Sequence, residues 1–192
     1  MSELVEIRWH GRGGQGSKTA SLLLGKVTSD LGLNVQAFPE YGPERMGAPV
    51  LAFNRISEGK MTLHCQIENP DVVVVLDSTL LEVVDVAENL SPGGKVIVNT
   101  DETPERIRKL LNLDPGQVYT VDANKISQEE IGSVFPNTPM LGALVKVANV
   151  LPEDKFREMI RSEFSQKFSH KPEIIDGNMN SVDRAMQEVQ GE

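Results

Sequence analysis

The stretch Gly11-Arg12-Gly13-Gly14-Gln15-Gly16-Ser17-Lys18-Thr19 decides how the chain is expected to fold. It follows an alternating apolar run over residues 4–10 and opens into an apolar-periodic segment over 20–27, so the predicted order is strand, glycine loop, helix. A helix that starts after glycines presents unpaired N–H groups and the positive end of its dipole. Backbone without side chains can also approach a ligand closely. The stretch therefore predicts a site for a phosphate-bearing ligand.

Three interpretations of this loop are compatible with its residues. Gly11, Gly13 and Gly16 fit the fingerprint of NAD- and FAD-binding folds, and Glu40 lies near the expected ribose-binding acid. A stand-alone dinucleotide-binding oxidoreductase domain is therefore one hypothesis. A P-loop is disfavoured, because the lysine comes one place late at Lys18. The third interpretation is a tight turn that serves only the packing of helix on sheet.

Hydrophobic periodicity predicts an α/β fold of three layers, Rossmann-like, with a mostly parallel central sheet and a helical C-terminal part. The unbroken run over 71–76 is typical of a parallel strand buried on both faces. Other strands are predicted over 34–38, 48–56, 95–99, 118–121 and 61–67, the last as a return partner of 48–56. Helices are predicted over 17–30, 79–89, from 103, 126–132, from 138, 152–166 and 181–189, all in a single domain over 1–192.

Composition and charge exclude several classes of function. A net charge of −9 argues against non-specific nucleic-acid binding, and the single cysteine excludes a disulfide framework or a cysteine-ligated cluster built by this chain alone. The three histidines are scattered without ligand-like spacing, so no metal site is predicted. No signal peptide or membrane span is visible, and a cytoplasmic protein without membrane or nucleic-acid partners is expected.

Two further segments are candidates for the same site. In residues 41–49, Arg45 could supply a fork-shaped contact to phosphate, and the alternative is a surface turn with a Glu44–Arg45 pair. In residues 137–143, Asn137 could bring a second helix start to the same crevice. The alternative there is an ordinary helix cap followed by close packing.

Five blocks of the sequence resemble, in order, the gamma subunits of 2-oxoacid:ferredoxin oxidoreductases, most closely those of the pyruvate:ferredoxin oxidoreductases (pyruvate synthases). They are residues 6–16, 36–48, 53–56, 69–74 and 136–145. The resemblance implies an enzyme complex that converts pyruvate and coenzyme A to acetyl-CoA, carbon dioxide and reduced ferredoxin. It implies alpha, beta and delta partner subunits that carry thiamine diphosphate, magnesium and [4Fe-4S] clusters. This chain would hold no catalytic residue and would not be active alone.

The same resemblance assigns the glycine loop to coenzyme A, whose phosphates a helix start and nearby cations can bind without magnesium. Arg45 would sit where single-chain relatives carry a lysine, and Asn137 matches the asparagine before that family's helix. Relatives often have a basic pair or Arg-Gly-Gly where this chain has Glu44-Arg45-Met46-Gly47. One wall of a coenzyme A site, completed by other subunits, would thus be formed by Gly11, Gly13, Gly14, Gln15, Gly16, Ser17, Lys18, Thr19, Tyr41, Arg45 and Asn137.

Overall fold

A central sheet with helices on both faces runs through the computed structural model, which describes residues 4–40, 47–62 and 65–191. The strands are β1 (Leu4–Arg12), β2 (Asn34–Pro39), β3 (Pro49–Ser57), β4 (Val72–Val75), β5 (Lys95–Asn99), β6 (Val118–Val121) and β7 (Gln190–Gly191). The helices are α1 (Ser17–Asp30), α2 (Pro104–Leu111), α3 (Ala123–Ile131), α4 (Asn137–Ala148), α5 (Glu153–Lys167) and α6 (Pro172–Glu188).

Most strands of this sheet point the same way, in the order β2-β3-β1-β4-β5-β6-β7. The central strands β1, β4, β5 and β6 are parallel neighbours. β2 shares their direction, because both β1 and β2 pair antiparallel with β3. Only β3 and β7 among the described strands run the opposite way. The predicted Rossmann-like, mostly parallel sheet is confirmed.

The two faces of the sheet are covered by different numbers of helices and carry hydrophobic cores of different size. On one face, Ile7 and Trp9 of β1 pack with the apolar sides of α1, α3, α4, α5 and α6 in the larger core. On the other face, Val73 and Val75 of β4 belong to a smaller core with Leu80 and with Ile107 of α2. β4 is buried on both sides between parallel β1 and β5, as the run over 71–76 predicts.

The predicted helix over 79–89 is wrong. Only Ser78–Glu82 is helical, as a short 3₁₀ turn whose N-cap, Asp77, accepts a hydrogen bond from the Thr79 N–H. After it, the Asp85 carboxylate also accepts a bond from a backbone N–H two residues on, and Asn89 has a left-handed φ of 56°. These local side-chain bonds compete with helix formation. Val83, which the helical pattern assigns to the buried face, is 64% exposed.

The predicted return strand over 61–67 is also wrong, since its described residues, 61–62 and 65–67, form no strand. β3 pairs with β1 on one side and β2 on the other, so neither of its edges is left for a hairpin partner. Cys65 in this segment instead contacts Arg55, which forms an ion pair with Glu6. Arg55 is 3.2 Å from the Cys65 carbonyl and 2.6 Å from the Glu6 carboxylate.

The last helix is longer than predicted, because α6 begins at Pro172 rather than near residue 181. The missed part contains Asp176-Gly177-Asn178, which has the composition of a loop. A Cβ at Gly177 would collide with the backbone carbonyl of Glu130 in α3, so the glycine allows the two helices to approach closely. α3 begins at Ala123, earlier than the predicted residue 126, because Asp122 caps it through the Lys125 N–H.

Candidate functional site

The glycine loop, residues 13–16, connects β1 to α1 at the edge where the parallel strands end. Gly14 and Gly16 have φ angles of 99° and 89°, in the left-handed region that favours glycine. A Cβ on Gly14 would meet nothing within 4 Å, whereas one on Gly16 would lie 3.0 Å from the Asn137 side chain. Gly16 therefore lets the start of α4 approach the start of α1, and the two helix N-termini meet at the loop.

Neither of these helix starts is capped by a side chain of the described residues. α1 begins Ser17-Lys18-Thr19 and α4 begins Asn137-Thr138-Pro139, so neither has an acidic residue in its first turn. The Thr138 hydroxyl is instead 3.1 Å from the Asn178 amide oxygen. The first-turn N–H groups and the exposed Lys18 make this a favourable place for an anion.

The loop is tied to the chain segment that leads into β3. The Gly13 N–H donates to the Ala48 carbonyl at 2.9 Å, and the Gly47 N–H donates back to the Gly13 carbonyl at 3.3 Å. The segment that the sequence associates with the loop therefore contacts it at this end. Tyr41 and Arg45, the candidate binding residues of that segment, lie outside the described residues. Glu40 is exposed at the end of β2.

A network of side chains supports the loop from the β4 side. The backbone N–H of Arg12 donates to the side-chain oxygen of Gln15 at 2.7 Å, and the side-chain nitrogen of Gln15 donates to the Asp77 carboxylate at 2.6 Å. The Arg12 guanidinium donates to the Thr79 hydroxyl at 2.8 Å and to the Gly47 carbonyl at 3.0 Å. It also lies 3.3 Å from the Asp77 carboxylate. The sequence predicts Gln15 as a binding residue, but in this structure its side chain bonds to Arg12 and Asp77 and supports the loop.

Asp77 is held as an anion within this network. Burial would raise the pKa of its carboxyl group, but hydrogen bonds from Thr79 and Gln15 and the charge of Arg12 lower that pKa below its usual value. The sequence does not reveal the network, because Asp77 and Thr79 lie on a different strand end far along the chain. Arg12 is visible inside the glycine motif, but the motif does not show where its guanidinium is held.

Two of the predicted binding residues lie beneath the loop. Gly11 is buried in β1, where a Cβ would collide with the Ser17 hydroxyl. The Ser17 side chain is 2% exposed, and its oxygen has no hydrogen-bond partner among the described residues. Lys18 and Thr19, by contrast, are exposed. The structure thus divides the predicted residues that it describes into two groups. Gly11, Gln15 and Ser17 support the loop, and the others are exposed or half-buried around it, namely Gly13, Gly14, Gly16, Lys18, Thr19 and Asn137.

A buried histidine, His10, lies near the end of β1 that leads into the glycine loop. It is 5% exposed, and its Nε2 has no hydrogen-bond partner in the described part of the chain. Burial, and secondarily the charge of Arg8, lowers the pKa of His10 to about 4. The ring is therefore neutral near pH 7. Across residues 4–40, 47–62 and 65–191, no acidic, histidine or cysteine cluster is suited to a metal ion, and no helix could cross a membrane.

The fold and the loop together define a Rossmann-like α/β protein in which two helix N-termini meet at a glycine loop. Residues 6–188 match the family model described as pyruvate ferredoxin/flavodoxin oxidoreductase. The chain belongs to this family. It is 44% identical over 168 residues to the pyruvate/ketoisovalerate oxidoreductases common subunit gamma of Thermococcus litoralis, covering 88% of this chain and 91% of that protein.

Solved structures agree with this assignment. The crystal structure of pyruvate oxidoreductase subunit PORC from Thermotoga maritima matches with a TM-score of 0.85 and 44% identity, over 98% of both chains. The 2-oxoglutarate:ferredoxin oxidoreductase of Magnetococcus marinus was solved with 2-oxoglutarate, coenzyme A and succinyl-CoA bound. It matches with a TM-score of 0.70 over 97% of this chain and 31% of that one, and at 22% identity this likeness shows the shared fold. The resemblance to gamma subunits is confirmed, and none of these relatives supports a stand-alone NAD or FAD domain.

Proposed function

We propose that the glycine loop of this gamma-type subunit binds the phosphates of coenzyme A in a pyruvate (2-oxoacid):ferredoxin oxidoreductase. The observation that carries the proposal is the meeting of α1 and α4 at Gly16, where two helix N-termini lack both a described side-chain cap and an acidic first turn. Aligned N–H groups and the positive ends of two helix dipoles stabilise a pyrophosphate or phosphate group.

The residues at the loop fit such a ligand. Gly14 has open space where a side chain would be, so the backbone there can approach a phosphate. Lys18 and Thr19 are exposed in the first turn and can contribute a cation and a hydroxyl. Asn137 adds an amide beside Gly16. The bound form of the Magnetococcus protein contains coenzyme A, which agrees with this choice of ligand.

The rest of the reaction would belong to partner subunits. This chain has one cysteine, Cys65, which is too few for a cluster with four cysteine ligands. The resemblance to gamma subunits further implies that thiamine diphosphate, magnesium and the [4Fe-4S] clusters lie on alpha, beta and delta subunits, and that ferredoxin is reached through the complex. This subunit would hold coenzyme A so that its thiol can accept the acyl group made there.

The test is the coenzyme A dependence of ferredoxin reduction by the complete oxidoreductase. Lys18→Ala and Arg45→Ala should each raise the KM for coenzyme A by roughly tenfold, the effect of losing one charge-assisted contact of about 1.4 kcal/mol. Lys109→Ala, an exposed lysine in the last turn of α2, is the matched control and should leave this KM unchanged.

Two outcomes would contradict the proposal. If Lys18→Ala and Arg45→Ala both leave the KM for coenzyme A unchanged in an assembled complex, the loop does not bind this ligand. If substitutions in the loop lower only stability or assembly, the glycines serve the packing of α1 and α4 and nothing more.

A further inference from the structure

Arg12 joins three parts of the chain through its guanidinium group. It is the last residue of β1, and its Nη1 donates to the carbonyl of Gly47, before β3. Its Nε and Nη2 lie 3.2 and 2.8 Å from the hydroxyl of Thr79, after β4. The Thr79 hydroxyl in turn donates to Asp77 at 2.6 Å. Each nitrogen of the guanidinium therefore has an acceptor within the protein.

Asp77 completes the network from the other side. Its Oδ1 accepts from the Thr79 N–H and hydroxyl, and its Oδ2 accepts from the Gln15 amide at 2.6 Å. Its side chain is 16% exposed and that of Arg12 is 27% exposed, so the pair is shielded more than most surface ion pairs. Linked hydrogen bonds of this kind strengthen one another and hold a single geometry.

From this geometry we propose that Arg12 is a positioning residue that holds the glycine loop in its anion-binding shape and does not itself bind the anion. The inference rests on the proposed function, because the ligand whose affinity it sets is coenzyme A. A loop already held in place requires no ordering when the ligand binds, and this raises affinity without any direct contact. Without the clamp, only the fraction of loops in the competent shape would bind.

A direct role for Arg12 as a phosphate ligand makes the opposite prediction for Asp77. If Asp77 only restrains a binding arginine, Asp77→Asn releases the guanidinium and coenzyme A affinity stays the same or rises. If Arg12 and Asp77 act together as a clamp, Asp77→Asn weakens binding as much as Arg12→Gln does. The double variant then binds coenzyme A about as weakly as either single variant does.

The experiment measures the KM for coenzyme A in the complete oxidoreductase carrying Arg12→Gln, Asp77→Asn or both. We expect each single variant to raise this KM by roughly tenfold, with a smaller change in kcat, and the double variant to stay near tenfold rather than a hundredfold. Arg12→Lys should not rescue the affinity, since one ammonium cannot replace a planar fork with several acceptors. Arg161→Gln breaks the exposed Arg161–Asp176 pair as the control and should leave the KM unchanged.

A second readout does not depend on coenzyme A. Hydrogen–deuterium exchange of residues 12–19 in the ligand-free complex should be several-fold faster in Arg12→Gln and Asp77→Asn than in the unaltered protein. Thr79→Val removes the hydroxyl between the two charges and gives the same test if either charge variant fails to assemble.

The outcomes separate the two proposals. If Asp77→Asn preserves or improves affinity while Arg12→Gln weakens it, Arg12 is a ligand and the positioning role is overturned. It is overturned as well if exchange over residues 12–19 does not change. If exchange accelerates but no variant, Lys18→Ala included, alters the KM for coenzyme A, then the clamp exists and the proposed function fails instead.

Discussion

The helix N-termini of this chain fall into two groups. α2, α5 and α6 each have an acidic residue in the first turn, and α3 is capped by Asp122. α1 and α4, which meet at Gly16, have neither feature within the described residues, and α1 carries Lys18 where an acid would be favourable. An acid near a helix start stabilises it by about 0.3–1 kcal/mol. Among the described residues, this negative charge is present at the starts of α2, α3, α5 and α6 and absent from those of α1 and α4, which is the pattern expected if a ligand provides it at the glycine loop.

The largest effect on the free energy of unfolding is expected at acidic pH, through protonation of His10 near the end of β1. Because its pKa is lowered to about 4, the folded state binds the proton less readily than the unfolded state does, whose histidine has a pKa near 6.5. The effect of His10 on the free energy of unfolding is therefore absent above pH 6.5. As pH falls from 6.5 towards 4, protonation of His10 in the unfolded state lowers the free energy of unfolding by about 3 kcal/mol.

Urea unfolding of the purified chain at pH 7, 5 and 4 measures this contribution. His10→Gln should flatten the pH dependence, whereas His170→Gln, at an exposed position, should not. An identical loss of stability in His10→Gln and the unaltered chain would show that this histidine does not titrate as its burial requires.

The next largest effect is expected where the two uncapped helices meet. Gly16→Ala places a Cβ 3.0 Å from Asn137 at a φ of 89°, and the strain and contact should lower the free energy of unfolding by about 2 kcal/mol. Gly132 has a φ of 78° and open space around it, so Gly132→Ala adds backbone strain without a contact. This substitution should lower the free energy of unfolding by about 1 kcal/mol. Equal losses in thermal or urea unfolding would mean that α4 does not press against Gly16.

A smaller difference is expected between two serines of α1. Ser17 has a buried hydroxyl without a described partner, so Ser17→Ala should change the free energy of unfolding by less than about 0.5 kcal/mol. The Ser21 hydroxyl donates to the Phe53 carbonyl at 2.9 Å, and Ser21→Ala should lower it by about 1 kcal/mol. A larger loss for Ser17→Ala would indicate that its hydroxyl caps or anchors the helix after all.

The smallest effect tests the helix-start comparison itself. Lys18→Glu gives α1 an acidic first turn like those of α2, α5 and α6 and should raise the free energy of unfolding by about 0.5 kcal/mol. Glu105→Lys makes the reverse change in α2 and should lower the free energy of unfolding. Urea unfolding at low salt measures both changes in the free energy of unfolding, which should have opposite signs. The same sign for both substitutions would contradict the dipole explanation.

The sequence predicted the parts of the fold that local pattern controls. The helix from Ser17 to Asp30 and the buried strand at β4 follow directly from glycine placement and apolar runs. The segment over 79–89 was mispredicted, because side chains such as Asp85 bond to the nearby backbone and compete with the helix. The start of α6 was missed, because Gly177 is explained only by its contact with another helix.

The site shows the same division between local and distant information. The glycines and the two helix starts could be located from the sequence. The direction in which each side chain points could not, since the rotation of α1 against the sheet buries Ser17 and exposes Lys18. The Arg12–Asp77 pair depends on two strand ends that become neighbours only through the parallel pairing of β1 and β4.

The most direct test of the central claim is hydrogen–deuterium exchange of the complete oxidoreductase with and without coenzyme A. The account predicts slower exchange on binding for the backbone amides of Ser17, Lys18, Thr19, Asn137 and Thr138, the first-turn donors of α1 and α4. The starts of α2, α5 and α6 should show no such change. Protection that is absent at both α1 and α4, or equal at every helix start, would contradict the claim that these two helices bind the ligand's phosphates.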